Sequence, residues 1–175
     1  MSYSAPVPVF YSHVIYSGDL TVTTSRYYSV GSLTWALADR AIYVPVRISA
    51  PIVVKKLGIM NGADVGATLD LGIYDAAGTK LVSTGAQSQG SGSTMVIFDV
   101  TDTVIQMGLC YFAVVLSNNT SSVMGYNRTA PIPLSNGVLT EALGSTALPA
   151  TATWAANQTN TFSPFVFAFL DPTAA

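Results

Sequence analysis

Short runs of β-branched and aromatic residues, each about as long as one strand, recur along the chain and are separated by Gly, Pro, Asn and Asp. No segment reads as a long helix, and turn-punctuated short strands are the pattern of a sandwich or barrel. Segment 40–48 places Ile42, Val44, Val46 and Ile48 on one face, because side chains alternate along a strand. Pro45 inside it lacks a ladder donor, which predicts an edge strand or a bulge, and Pro51 ends the run before the next strand at 52–60. In 68–84, Leu69, Leu71 and Ile73 alternate with Asp70, Gly72 and Tyr74; a turn at 75–78 returns the chain through Lys80, Leu81 and Val82. Residues 20–23 and 28–30 also alternate, 85–92 reads as a flexible tip, and 94–100 as a strand closed by a turn at 101–103. The run 109–117 is the most apolar and is expected at the centre of a sheet, turning through 118–120 into 123–128. The last strand, 162–170, brings Phe165, Phe167 and Phe169 to one face. Roughly nine or ten strands predict an all-β fold, a two-sheet antiparallel β-sandwich that is jelly-roll-like.

Two segments depart from this pattern. Residues 1–13 carry Pro6 and Pro8, which favour an extended course, together with Tyr3, Val7, Val9, Phe10 and Tyr11. A solvated tail would be polar, so this extended N-terminal arm is expected to pack on its own domain or along a neighbour. Residues 129–160 are rich in Ala, Thr, Ser, Asn and Pro and read as one long surface excursion near the C-terminus, with a hint of helical turn at 134–143. Trp154 within it predicts an ordered contact. The remainder, 14–175, reads as a single domain, a size that buries a core without disulfide or metal.

Charged residues make up only 9% of the chain against 50% hydrophobic, where roughly 25% charged is usual. A bare uncharged surface tends to associate, so much of this one is expected to be covered by other protein. No apolar run approaches the ~20 residues of a spanning helix, and the N-terminus has neither a basic region nor a continuous apolar stretch, so no signal peptide is expected and synthesis in a cytoplasm is. Asn-x-Ser/Thr triplets at Asn118, Asn119, Asn127 and Asn157 then read as polar loops. Net charge is −2, with no basic cluster beyond Lys55 and Lys56, which argues against nucleic-acid binding.

Catalytic chemistry finds little to work with. The one histidine, His13, stands at the end of the arm, and the one cysteine, Cys110, has apolar neighbours and reads as an inert core thiol. They are too few for a standard zinc site. Of the nine acids, eight are Asp, and Asp19, Asp39, Asp64, Asp75, Asp102 and Asp171 adjoin turn residues; Glu141 is the single glutamate. Asp64, Asp70 and Asp75 match no EF-hand spacing. The expectation is no enzyme, no metal and no cofactor. Trp35, Tyr126 and Trp154 could stack on sugar rings with Asn127, Asn157 and Gln158 as polar partners, although an aromatic near a loop more often plugs a core.

Three segments together, 40–48 (RAIYVPVRI), 71–85 (LGIYDAAGTKLVSTG) and 108–116 (GLCYFAVVL), resemble the β-sandwich modules of tailed-bacteriophage virion proteins, found in head decoration, tails and fibres. The resemblance covers about residues 40–117 and implies a fold and a setting more than an activity. It implies a virion structural protein: a capsid decoration or cement protein on the head, partnered by the major capsid or another virion protein and by itself as a homotrimer, with Tyr3, Val7, Val9, Phe10 and Tyr11 as the assembly contact. The alternative is a tail or fibre-tip module that meets a host glycan or receptor through Tyr126, Asn127 and Trp154.

Overall fold

In the computed structural model, residues 14–16, 28–128, 138–156 and 162–171 are described, and they form fourteen strand segments. In chain order these are β1 (Val14–Tyr16), β2 (Tyr28–Thr34), β3 (Arg40–Ile48), β4 (Ile52–Met60), β5 (Thr68–Asp75), β6 (Lys80–Ser83), β7 (Gln87–Ser88) and β8 (Met95–Ile105). Then follow β9 (Gly108–Leu116), β10 (Ser122–Arg128), β11 (Leu139–Ala142), β12 (Ala155–Ala156), β13 (Phe162–Pro164) and β14 (Val166–Leu170). The arm and the run at 20–23 lie outside the described residues.

The strands pair as nested antiparallel couples: β5 with β6, β4 with β8, β3 with β9, β2 with β10 and β1 with β14. The chain is thus one long double ribbon rolled up on itself. Rolling brings β14 against β4 and β9 against β5, which yields one sheet in the order β1-β14-β4-β8 and another with the core order β3-β9-β5-β6. This is the jelly-roll form of the β-sandwich. A small sheet, β13-β10-β2, extends the first layer; the chain passes from β13 to β14 through Phe165, whose backbone N–H donates to the carbonyl of Met124.

The core lies between the layers. Ile42, Val44, Val46 and Ile48 of β3 meet Leu69, Leu71 and Ile73 of β5, Phe112 and Val114 of β9, and Leu57, Ile59, Val166 and Ala168 of the facing sheet. Trp35 is 1% exposed, set edge-on to Phe162, and its indole N–H donates to the Arg40 carbonyl, so it plugs this core and is closed to sugars. The central position of β9, between β3 and β5, follows the apolar pattern of its sequence.

Pro45 is accommodated simply. β11 pairs β3 only over Arg40 to Tyr43, so from Val44 onward β3 has a partner on one side alone among the described residues, and the missing N–H costs no ladder bond there.

Several local expectations are corrected. Thr101-Asp102-Thr103 is no turn: β8 runs on to Ile105, and there Val100, Thr101 and Asp102 oppose the single residue Lys55 in a bulge. The suggested helical turn at 134–143 is, where described, the strand β11. The tip at 85–92 contains β7 and a fully buried Gln89. The final strand is broken at Phe165, and its core face is Val166 and Ala168; Phe167 and Phe169 share the opposite, half-buried face.

Candidate functional site

The outer face of the larger sheet carries a second, smaller core. Alternation turns Ala41 and Tyr43 of β3, Tyr74 of β5, and Ala113 and Val115 of β9 away from the main core, and each is nonetheless buried. The cover is the excursion, 138–156, which lays Leu139, Leu143, Leu148, Ala152 and Trp154 over them. Trp154 sits among three tyrosines, with ring centroids 5.2 Å from Tyr43, 6.4 Å from Tyr74 and 4.6 Å from Tyr111. At Gly72 a side chain would run into Leu148, so glycine there is what lets the excursion lie flat.

Polar groups fasten the cover. The Tyr43 hydroxyl donates to Glu141 at 2.8 Å, while the other oxygen of Glu141 accepts from the backbone N–H and hydroxyl of Thr153. The Tyr74 hydroxyl donates to the Pro149 carbonyl at 2.6 Å, and Lys80 Nζ to the Leu148 carbonyl at 2.7 Å. Burial raises both tyrosine pKa values, with Glu141 adding to the rise at Tyr43 and Asp70 at Tyr74. These tyrosines are donors, held neutral, and not bases.

Asp70 is the most unusual member. It is 1% exposed, and its carboxylate accepts from the Leu148 N–H at 3.0 Å and the Thr84 hydroxyl at 3.1 Å. Desolvation raises its pKa, and those two hydrogen bonds oppose the rise only in part. A carboxyl whose folded pKa exceeds its unfolded value binds its proton more tightly when folded. Its contribution is therefore fully present below the ordinary carboxylate range and is lost as pH rises through the raised value. The difference in urea midpoint between wild type and Asp70→Asn should accordingly change between pH 4 and pH 7, with wild type relatively more stable at pH 4. A constant difference would contradict this account.

A buried polar group closes one end of the sandwich. Asn61 donates from Nδ2 to the carbonyls of Gln89 and Ser91, and Gln89 Nε2 donates to the Ser122 carbonyl. Gln89 Oε1 accepts from the N–H groups of Gly66 and Ala67, and Ser122 Oγ from that of Asp64. A side chain at Gly62 would collide with Ser32 and Ser122. The group ties three loops together and presents no reactive side chain.

At the opposite end, the β8–β9 connection crosses from one sheet to the other and leaves Val104 56%, Met107 68% and Leu109 37% exposed. The neighbouring β3–β4 turn, Ser49-Ala50-Pro51, is exposed and uncharged. Sequence reading passed over this end because Val104 and Leu109 belong to otherwise ordinary strands. The signal that could have found it is Met107-Gly108, a large apolar residue placed in a turn, with Gly108 at φ 149°.

The earlier candidates are dispersed. Trp154 belongs to the tyrosine group above, and Tyr126 on β10 meets Phe165 edge-on at 4.7 Å, so the structure places the two in separate aromatic groups. The backbone of Asn127 pairs with Phe162 and Ser29, and its side chain lies outside the description. Tyr3, Val7, Val9, Phe10, Tyr11 and His13 lie outside the described residues. Cys110 is 3% exposed in the core, and burial pushes its thiol pKa up, away from reactivity. Asp75 makes the expected turn, accepting from the N–H groups of Ala77 and Thr79. Lys55 pairs with Asp102 and Asp171, and Lys56 with Asp99. Among the described residues no three His, Cys, Asp or Glu side chains gather as a metal site. No protein-family model matches this chain, and no curated protein matches it.

Proposed function

We propose that this chain is a non-enzymatic structural protein of a bacteriophage virion, a capsid decoration or cement protein that is made in the host cytoplasm and joins the head as a homotrimer. The observation that carries the reading is the β8–β9 end of the sandwich, where Val104, Met107 and Leu109 stand exposed. Such an end is suited to contact with protein. A charge content of 9% and a rigid jelly roll whose loops are pinned by internal bonds agree with it. The partners are the major capsid or another virion protein and further copies of the chain; nucleic acid, membrane and cofactor play no part in this reading. The fibre-tip alternative relies on Trp154 as a sugar platform, and packing against three tyrosines is a sufficient reason for that residue.

The test is attachment. A variant lacking residues 1–13 is expected to keep its far-ultraviolet circular dichroism and to lose binding to phage heads stripped of the protein. Undiminished co-sedimentation of that variant with the heads would sink the reading.

A further inference from the structure

We propose that Asp70 is held as a neutral carboxylic acid whose proton latches the excursion, 138–156, onto the outer face of the larger sheet, and that the excursion opens locally when this proton leaves.

The supply of hydrogens at Thr84 is the first support. Thr84 Oγ1 accepts from the Leu71 N–H at 3.0 Å, and it lies 3.1 Å from Asp70 Oδ1 and 2.9 Å from the Gly85 carbonyl oxygen. A hydroxyl has one hydrogen to give and two lone pairs with which to accept. Neither a carbonyl nor an ionised carboxylate can donate, so with Asp70 charged the single Thr84 hydrogen faces two acceptors. A proton on Asp70 Oδ1 satisfies every contact. The acid then donates to the second lone pair of Thr84 Oγ1, the Thr84 hydrogen goes to the Gly85 carbonyl, and Asp70 Oδ2 still accepts from the Leu148 N–H.

The surroundings favour the same form. Asp70 is 1% exposed, and among the described residues no cation stands within ion-pair distance of it. Lys80 of β6 acts on it only at longer range, its ammonium being bonded to the Leu148 carbonyl. The other titratable groups on this face are Tyr74 on β5, Tyr43 on β3, Tyr111 on β9 and Glu141 on the excursion, and none of them brings positive charge. Holding an unpaired carboxylate away from water is costly, which is the cause of its raised pKa.

Position makes the proton a latch. Asp70 meets the excursion at the Leu148 N–H, and Leu148 also places its carbonyl on Lys80 and its side chain over Gly72. Opening there returns the carboxyl to water, where its pKa is the ordinary one of about 3.9 and its proton passes to solvent. Between the ordinary and the raised value, opening becomes about tenfold easier for each unit of pH, and it levels off above the raised value. The cover is therefore held most firmly in acid.

Two measurements on the full-length chain test this. With aspartate isotope-labelled at the side-chain carboxyl, one resonance in the nuclear magnetic resonance spectrum is expected to titrate above the ordinary carboxylate range and to be missing from Asp70→Asn. Amide hydrogen exchange, corrected for its intrinsic pH dependence, reads the opening itself. The N–H groups of Leu148 and Ala152, bonded to Asp70 and to the Gly78 carbonyl, are expected to exchange faster than those of β9. Their protection in wild type should fall by about tenfold per pH unit below the midpoint of that resonance. In Asp70→Asn the amide can donate to Thr84 and accept from Leu148 as the acid does, so protection there should stay constant with pH. Absence of a carboxyl titrating above the ordinary range, wild-type protection independent of pH, or exchange of Leu148 and Ala152 no faster than β9 would each overturn the proposal. A fall with pH that persists in Asp70→Asn would assign it to another group and overturn it equally. Should that variant fail to fold, the wild-type titration and exchange decide alone.

Discussion

Replacing Trp154 by alanine is expected to destabilise the fold by about 3 kcal/mol, toward the lower end of the range for losing a large aromatic, because the indole is half-buried. The loss has a specific shape. The indole is the piece of the excursion that meets Tyr43, Tyr74 and Tyr111 together, and without it those rings face a void or water. The polar anchors at Asp70, Tyr74 and Glu141 would remain, so the excursion should loosen near its C-terminal part first. In a chain of 175 residues this corresponds to a fall in Tm of roughly 6–12 °C. Calorimetry measures that fall, and limited proteolysis should show new cleavage within 138–156. An unchanged Tm would mean the excursion is held without the indole, and would return Trp154 to the list of exposed recognition residues.

Phe112→Ala is expected to cost more, about 4 kcal/mol. Phe112 is 1% exposed at the centre of β9, flanked in register by Val44 on one side and Ile73 on the other. All three point into the main core, which is packed from both layers and has little freedom to collapse around a missing ring. The comparison is Met107→Ala, five residues earlier and 68% exposed, which should move stability by less than about 0.5 kcal/mol. Chemical denaturation of both variants reads the contrast. Equal effects would mean that Phe112 is not packed in the core as described.

The parts of the fold legible in the sequence are those in which neighbours along the chain decide the outcome. Alternation in 40–48 and 68–75 is local, and so is the turn at Asp75, where the carboxylate bonds N–H groups two and four residues on. What could not be read depends on distant partners. Thr101-Asp102-Thr103 has the composition of a turn, yet pairing with β4 holds it as a bulge. Leu139 to Ala142 suits a helix by composition, yet β3 offers a free edge from Arg40 to Tyr43 and the pairing prevails. Asp70 looked like the polar half of an amphipathic strand. Its burial is fixed by Leu148, 78 positions away, which no local pattern reveals. The ordered contact of Trp154 was legible because a tryptophan in a polar stretch needs a reason; that its partners are tyrosines of three different strands was not. The exposure of Met107 was missed for the opposite reason: it stands in the short connection between β8 and β9, and only the crossing between sheets leaves it uncovered.

The nested pairing also fixes which contacts are cheap to make and which are slow. The β5–β6 pair closes across a four-residue turn, whereas β1 must find a partner more than 150 positions away, at an added loop-closure cost of about 3 kcal/mol. β14 lies between β1 and β4, so among the described residues β1 has nothing to pair with until β14 has docked. Zipping therefore runs from the middle of the chain outward, and β1, only three residues long, is the last segment to be captured and the first to let go.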